Sequence, residues 1–262
     1  MSMAPKVSVI IAAYNSMPYL HETLGSLSDQ PYRPLEIVLV DDGSGDGTPE
    51  YVRWVRRWLL PGDVEFHLLR NRTNRGVACA RNRGLAAATG DMLTFLDHDD
   101  VMLPQGISHR VEYLQRHQVD VVYARRDTLV HQDRERHVEH RVESYHSDGF
   151  TRLATKWEQF EYLLHKRVTF GHATLLYHRD VLNAVGLFRE ERELMGIEHN
   201  GWMLKLFHYF FAHYLDETVF LLRRGHRRDH LATVWDDNPD RSHVFDTVLV
   251  PRTLVELEGA RP

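Results

Sequence analysis

Four short apolar runs, each followed by a turn and a helical pattern, constrain the fold of this chain most strongly. The first run, Val7–Ala13, does not alternate with polar residues, which predicts a strand that is buried on both faces. Similar runs lie at 36–40 and 64–69, and a fourth ends at Leu96. Alternating strand and helix patterns predict a parallel sheet with helices on both sides. The predicted fold class is therefore α/β.

Polar residues follow three of these predicted strands. In parallel α/β sheets, ligands bind beyond the carboxyl ends of the strands. We therefore expect one crevice to be lined by the residues directly after the first, second and fourth runs, which are Tyr14, Asn15, Asp41, Asp42 and the acidic segment 97–100.

The acidic segment contains three carboxylates, Asp97, Asp99 and Asp100. Neighbouring like charges disfavour ionisation, and a divalent cation relieves that repulsion. Carboxylate oxygens suit Mg²⁺ or Mn²⁺, and the remaining ligands of such ions are often substrate phosphates. A metal–diphosphate site is one interpretation. A solvated acidic turn or a helix N-cap is the other, and these positions alone leave both open.

Composition and missing motifs exclude several other classes. No GxGxxG follows the first strand and no GxxxxGK[ST] is present, which disfavours a dinucleotide-binding Rossmann domain and a P-loop ATPase. The formal net charge of -5, from 32 basic and 37 acidic residues, gives no global attraction to nucleic acid or an anionic membrane. Cys79 is the single cysteine, and no apolar run is long enough to span a bilayer. We expect a cytoplasmic protein without a transmembrane segment.

Four motifs in this order resemble the family 2 glycosyltransferases. They are VSVIIAAYN at 7–15, EIVLVDDGSGDGT at 36–48, NRGVACARN at 74–82 and FLDHDD at 95–100. The resemblance implies a GT-A fold, with a Rossmann-like, mostly parallel sheet flanked by helices and a smaller acceptor-side part. It also implies transfer of a sugar from a nucleoside-diphosphate sugar with inversion at the anomeric carbon, with Mn²⁺ or Mg²⁺ as the cofactor.

The resemblance implies particular roles in binding the donor. Tyr14 stacks on the base, the backbone near Ala12 helps to hold it, and Asp42 accepts the imide hydrogen of uracil or thymine. Arg81 reaches a phosphate or Asp100. The full set implied for the donor is Ala12, Tyr14, Asn15, Asp42, Arg81, Asp97, His98, Asp99 and Arg224. Two simpler interpretations remain open, a turn-forming role for Asp42 and a solvated helix charge for Arg81.

The metal and base assignments also come from the resemblance. The metal ligands are Asp99, Asp100 and His226, the last in a basic loop at 223–230 whose arginines face the diphosphate. An exposed basic loop is the alternative. Many relatives carry Glu-Asp where this chain has Glu198 and His199, and that Asp acts as the base. An imidazole can also take a proton from a hydroxyl, so either residue is a candidate base. An acid favoured at a helix start is the structural alternative for Glu198.

The second half of the chain gives weaker predictions. The His-rich segment 131–147 is expected to form an exposed excursion or a hairpin. Helices are expected at 157–166 and 202–214, with strands at 170–177 and 218–222. We divide the chain into a nucleotide-sugar-binding half (1–130), an acceptor-side and catalytic half (131–235) and a tail (236–262). The tail could pack on the domain, form a homodimer or remain loose.

The sequence also leads to expectations about the donor, the acceptor and the alternative functions. The donor carrier is expected to be UDP, with dTDP and GDP as alternatives, and the acceptor a saccharide or a small molecule; nucleic acid is not expected as a partner. The rival hypotheses are a non-catalytic sugar-nucleotide-binding protein with a degraded site, because the expected Asp is missing at His199, and a nucleotidyltransferase.

Overall fold

The computed structural model describes residues 4–17, 19–134, 137–144, 150–166, 172–194, 196–224 and 244–259, with only the backbone given for 130–134, 137–144, 166 and 224. The strands are β1 (Val7–Ala13), β2 (Leu35–Asp41), β3 (Val64–Arg70), β4 (Met92–Phe95), β5 (Val101–Met102), β6 (Val121–Arg134), β7 (His137–Ser144), β8 (Leu175–His178) and β9 (His213–Arg224). The helices are α1 (Leu20–Ser28), α2 (Thr48–Trp58), α3 (Val77–Ala87), α4 (Ser108–His117), α5 (Lys156–Lys166), α6 (Val181–Val185), α7 (Glu198–Tyr209) and α8 (Val250–Gly259).

The strands form one sheet in the order β3-β2-β1-β4-β8-β6-β9-β5, with β7 paired to β6. Strands β1 to β4 run parallel, as the alternating strand and helix patterns predict. Strand β8 joins the two halves of the sheet, because it pairs antiparallel with both β4 and β6. Strand β9 runs parallel to β6, and its end pairs with β5. Strand β5 directly follows the acidic segment in the sequence. The predicted α/β class is confirmed.

The sheet is covered by apolar cores on both faces. Val9 and Ile11 of β1 belong to one core, and Ile10 points into the other, so β1 is buried on both sides as its continuous apolar run predicts. Helix α3 packs against β1 at a glycine: a Cβ on Gly84 would lie 2.4 Å from Ile10 Cγ2. This close approach fixes the position of α3 and hence of Arg81.

Three predicted element boundaries in the second half are wrong. Helix α7 begins at Glu198 rather than at 202 and ends at Tyr209. Strand β8 begins at Leu175, because residues 172–174 form a 3₁₀ turn instead of continuing a strand. Strand β9 extends over His213–Arg224 because it pairs along β6 from Val122 to Val130. The predicted hairpin is present as the β6–β7 pair, although 135–136 and 145–149 lie outside the residues that the structure describes.

The part of the tail that the structure describes packs on the domain. A π-helical turn, Phe245–Leu249, continues into α8, and the side chains of Phe245 and Leu249 are buried. Leu249 packs at Gly201 of α7, where a Cβ would lie 2.8 Å from Leu249 Cδ1. Of the open alternatives for the tail, packing on the domain holds for 244–259. Within the described ranges, no helix combines the length and apolar character needed to cross a bilayer.

Candidate active site

The loops that follow β1 and β2 are joined by hydrogen bonds around Asn15. The Asn15 backbone N–H donates to Ser44 Oγ (2.9 Å), and its side-chain Oδ1 accepts from the Gly45 N–H (3.0 Å). Asn15 adopts a left-handed conformation (φ 46°), which asparagine tolerates better than most residues. The turn after β1 is therefore held directly against the Gly-rich loop after β2.

Asp42 organises the next loop along the sheet edge. Its buried carboxylate accepts hydrogen bonds from Asn71 Nδ2 (2.6 Å), the Arg75 N–H (3.0 Å) and the Gly76 N–H (2.8 Å). Gly43 allows this approach: its φ is 79°, and a Cβ there would lie 2.7 Å from the Thr73 carbonyl carbon. The turn-forming role left open for Asp42 is thus seen directly. The uracil contact stays a prediction.

Tyr14 and His98 both lie at the end of β1. The Tyr14 side chain is 42% exposed, which leaves its ring available for stacking. His98 Nδ1 lies 3.2 Å from the Ala12 carbonyl, so this nitrogen carries the proton. The other ring nitrogen, Nε2, is buried and has no hydrogen-bond partner among the residues placed here. His98 is thereby held against Ala12 of β1. The family resemblance implies that the backbone near Ala12 helps to hold the nucleobase of the donor.

The acidic segment after β4 brings three carboxylates into one turn. The Asp100 N–H donates to the Asp97 carbonyl (3.1 Å), which closes the turn. Asp99 and Asp100 are buried, whereas the Asp97 side chain is 47% exposed. Burial, followed by the charges of Asp99 and Asp97, raises the pKa of Asp100 well above its ordinary value. The repulsion that the sequence predicts therefore raises the pKa of Asp100 in addition to burial, which is the larger cause.

Arg223, at the end of β9, holds this acidic turn in place. Its backbone N–H donates to Asp100 Oδ1 (2.9 Å), its Nε donates to the Asp99 carbonyl (2.9 Å), and its NH2 group pairs with Glu22 of α1 (2.6 Å). The guanidinium also lies over the Tyr19 ring, at 5.1 Å. The sequence offers Arg223 only as one of several arginines in a basic loop, and its burial is what distinguishes it.

Arg81 connects the acidic turn with the start of α7. One terminal nitrogen donates to Asp97 Oδ1 (2.9 Å), and the other donates to Glu198 Oε1 (3.3 Å). The guanidinium is buried against the rings of Phe95 and Phe188, each 5.9 Å away. Arg81 is therefore not a solvated helix charge, and its carboxylate partners are Asp97 and Glu198 rather than the predicted Asp100.

Glu198 and His199 differ in their access to a substrate. Glu198 is buried, and its Oε2 accepts from the Gly196 N–H (2.6 Å). Burial acts to raise the pKa of Glu198, but contacts with His199 and Arg81 outweigh it and hold this pKa below its ordinary value. The His199 side chain is more exposed, and its Nδ1 lies 3.9 Å from Glu198 Oε1. A buried carboxylate facing an imidazole is suited to orienting that imidazole.

His172 is a further residue of this region that the sequence does not identify. Its ring packs edge-on against His199 (5.5 Å between centroids) and Phe188 (5.2 Å). Burial, followed by Arg81 and His199, lowers the pKa of His172 well below its ordinary value, so it is neutral. Arg110 fixes the turn that carries it, donating to the Ala173 (2.8 Å) and Leu175 (3.0 Å) carbonyls.

Among the described residues, the group of three side chains that could bind one metal ion lies away from the acidic turn. Glu36, Glu65 and His67 place one ligand atom each within 4.8 Å of one another, near the start of β2 and β3. Glu36 there already accepts hydrogen bonds from Thr89 (2.7 and 2.8 Å). The predicted ligand His226 lies outside the described residues, as does the side chain of Arg224. A cation at the acidic turn would thus be held by one or two carboxylates.

The family model "Glycosyl transferase family 2" matches residues 8–186. The putative glycosyltransferase EpsE of Bacillus subtilis is 35% identical over 117 residues, which are 45% of this chain and 41% of EpsE. The uncharacterized glycosyltransferase EpsJ of the same organism is 28% identical, with coverage of 68% of this chain and 53% of EpsJ. The chain thus spans less than two thirds of these relatives.

Two solved structures show the same fold. S. aureus TarS 1-349 in complex with UDP-GlcNAc superposes with a TM-score of 0.68 at 22% identity, over 87% of this chain and 61% of that one. The mannosyltransferase PcManGT from Pyrobaculum calidifontis, in complex with GDP-Man and Mn²⁺, gives a TM-score of 0.61 at 20% identity, over 100% of this chain and 77% of that one. The fold is the predicted GT-A fold, and the chain belongs to the family 2 glycosyltransferases.

Proposed function

We propose that this protein is an inverting, metal-assisted hexosyltransferase that moves a sugar from a nucleoside-diphosphate sugar, with UDP as the favoured carrier, to an acceptor hydroxyl. The observation that carries the proposal is the position of Arg81. Its two ion pairs join the acidic turn of the donor half to Glu198, the first residue of α7. Donor-side and acceptor-side groups therefore belong to one site.

We assign the base role to His199 and an orienting role to Glu198. The Glu198 carboxylate is buried and already accepts hydrogen bonds from Gly196 and Arg81, so it cannot reach a substrate hydroxyl without losing them. His199 is the member of the pair with exposed side-chain surface, and Glu198 lies on its Nδ1 side. His199 Nε2 would accept the acceptor's proton as the hydroxyl attacks the anomeric carbon.

The acidic turn fits a divalent cation by the chemistry of its donors. Asp99 and Asp100 offer hard oxygen atoms, and a cation would offset both the burial and the neighbouring acids that raise the pKa of Asp100. Mn²⁺ or Mg²⁺ held there, with His226 as a further proposed ligand, would stabilise negative charge on the diphosphate leaving group. Arg223 fixes both carboxylate-bearing residues, so the turn need not rearrange to bind the ion.

The donor nucleotide is placed by residues at the carboxyl ends of β1, β2 and β4. Support comes from the exposed ring of Tyr14 and from the Asn15 bridge between the first two loops. TarS in complex with UDP-GlcNAc has the same fold, which favours UDP, whereas PcManGT binds GDP-Man. The remaining proposed donor contacts are Ala12, Asp42, Asp97, His98, Asp99 and Arg224.

The wider organisation follows from this assignment. Residues 1–130 form the nucleotide-sugar-binding half, 131–235 the acceptor-side and catalytic half, and 236–262 the tail. The proposed acceptor is a saccharide or a small molecule. We place the protein in the cytoplasm, as its single, buried cysteine suggests. The proposal includes a homodimer, which would form through surfaces that α8 does not cover.

Nucleotide binding and transfer test the proposal separately. Thermal-shift measurements with UDP, dTDP and GDP, each with and without Mn²⁺, should show the largest stabilisation with UDP and Mn²⁺ together. Mass analysis of products from a UDP-sugar panel should then show UDP release, with Asp99→Ala and Asp100→Ala inactive but folded. Binding without any donor hydrolysis or transfer would instead support the non-catalytic alternative, for which the substitution at His199 is the argument.

The base assignment needs its own variants. His199→Gln should lower kcat about 10²- to 10⁴-fold with little change in donor affinity, because a general base acts on the transition state. Glu198→Gln keeps the shape of the site and should be the milder change. An active His199→Gln enzyme combined with an inactive Glu198→Gln enzyme would reverse the two roles.

A further inference from the structure

Helix α2 exposes two large aromatic side chains on the surface. Trp54 is 51% exposed and Trp58 is 66% exposed, whereas Val52 and Val55 of the same helix are buried in the core. Residues four apart on a helix are neighbours, so the two indoles form one exposed aromatic strip. Neither tryptophan contributes to the candidate active site.

The same helix is strongly basic. Arg53, Arg56 and Arg57 are all exposed, and Glu50 is the one acid of α2. Helix α2 thus carries three arginines and one carboxylate, a local excess of two positive charges in a chain whose net charge is -5. The global balance, which gives no attraction to an anionic surface, therefore conceals a strong local asymmetry.

The position of α2 leaves this surface open. The helix connects β2 to β3, and β3 is the edge strand of the sheet. The guanidinium of Arg57 lies 5.2 Å from the centroid of the Trp58 ring, so charge and aromatic surface are presented together. Arg53 pairs with the exposed Glu50 (3.4 Å), an interaction that water and salt weaken.

The combination of tryptophan and arginine favours one kind of partner. Indole rings are amphipathic and settle at the boundary between lipid headgroups and acyl chains. Arginines beside them are attracted to anionic headgroups. A second copy of this chain fits poorly, because a two-fold contact through α2 would bring arginines against arginines.

We propose that α2 docks this protein on an anionic lipid surface, with Trp54 and Trp58 entering the headgroup region and Arg53, Arg56 and Arg57 contacting lipid phosphates. This interaction is peripheral and does not involve the acidic turn or α7. It is independent of the proposed function, because none of these five residues is assigned to donor binding or catalysis.

Vesicle co-sedimentation of the full chain tests the proposal. Phosphatidylcholine vesicles containing phosphatidylglycerol should retain the protein, and vesicles of phosphatidylcholine alone should not. The Trp54→Ala/Trp58→Ala variant and the Arg56→Gln/Arg57→Gln variant should each lower the bound fraction by about tenfold or more at fixed lipid. All the changed side chains are exposed, so circular dichroism and thermal melting should match the parent protein.

Trp157 supplies a matched control. It is also 51% exposed and has a cation beside its ring, Lys156 Nζ at 5.0 Å, but it lies on α5. Trp157→Ala should leave vesicle binding unchanged. Equal loss in Trp157→Ala, retained binding in the α2 tryptophan variant, or equal binding to neutral vesicles would overturn the proposal. So would a dimer in light scattering that the α2 variants abolish, since that identifies a second copy as the occupant.

Discussion

Replacing Arg81 with methionine should destabilise the protein in a pH-dependent way. Methionine retains packing against Phe95 and Phe188 but removes the charge that faces Glu198 and Asp97. Removing one partner of a buried ion pair costs roughly 3–5 kcal/mol. The Asp97 side chain is 47% exposed, so its share is at most about 1 kcal/mol.

The loss at Glu198 dominates, because this carboxylate is almost fully buried. Gly196 still donates to it and His199 still faces it, so we expect a total loss near the lower limit, about 3 kcal/mol at neutral pH. At about 2–4 °C per kcal/mol for a chain of this size, the melting temperature should fall by about 6–12 °C.

The pH dependence follows from the sign of the shift. In the parent protein the pKa of Glu198 is lowered, so its stabilising contribution is present at neutral pH and is lost as pH falls through that pKa. Without Arg81, burial is less opposed and the pKa of Glu198 rises. The difference in unfolding free energy between parent and variant should therefore be largest near neutral pH and should shrink as Glu198 becomes protonated in the variant.

Urea unfolding at about pH 7.5 and about pH 5 measures this difference at each pH. Adding Glu198→Gln to Arg81→Met provides the control, because a neutral amide has no charge left to compensate. The double variant should recover stability at neutral pH relative to Arg81→Met alone. An Arg81→Met penalty that is equal at both pH values, or is not reduced by Glu198→Gln, would refute the buried ion pair as its cause.

Three further changes test other contacts that position the site. Arg223→Met should weaken Mn²⁺ binding about tenfold or more in calorimetry, since it frees the acidic turn from α1, and unchanged affinity would contradict that role. Asn82→Ala should cost about 2–3 kcal/mol in urea unfolding, because it leaves the Phe188 N–H and C=O without their present partner; a loss below about 0.5 kcal/mol would mean that water replaces the amide. Gly84→Ala should cost about 1–3 kcal/mol despite the better helix propensity of alanine, and a stabilised protein would show that Ile10 can move aside.

The first half of the fold could be predicted because its signals are local. Val7–Ala13 is continuously apolar and ends in a polar turn, and the following runs repeat this pattern, so strand type and the common edge of the strand ends follow from the sequence. The second half depends on pairings between distant segments. Strand β9 owes its length to β6, about 90 residues earlier, and nothing near 213 indicates this partner.

The individual contacts of the site divide in the same way. Asp97, Asp99 and Asp100 lie within four consecutive residues, so their mutual repulsion could be predicted from the sequence, whereas the burial that contributes most to the raised pKa of Asp100 could not. Arg81 and Glu198 are 117 positions apart, and their ion pair requires the complete fold. His172 lies in what reads as a strand, and only the 3₁₀ turn brings its ring to His199.

The histidine at position 199, where the family resemblance implies an aspartate, suits the charges in the rest of the site. A carboxylate at this position would add a third acid near Glu198 and Asp97, with Arg81 as their shared cation. An imidazole at this position adds no negative charge, and the neutral His172 packed against it adds no positive one. Arg81 can then neutralise Glu198 and Asp97 alone, which leaves Glu198 free to orient the imidazole. The histidine is thus consistent with a working site in which the base and its orienting carboxylate are separate residues.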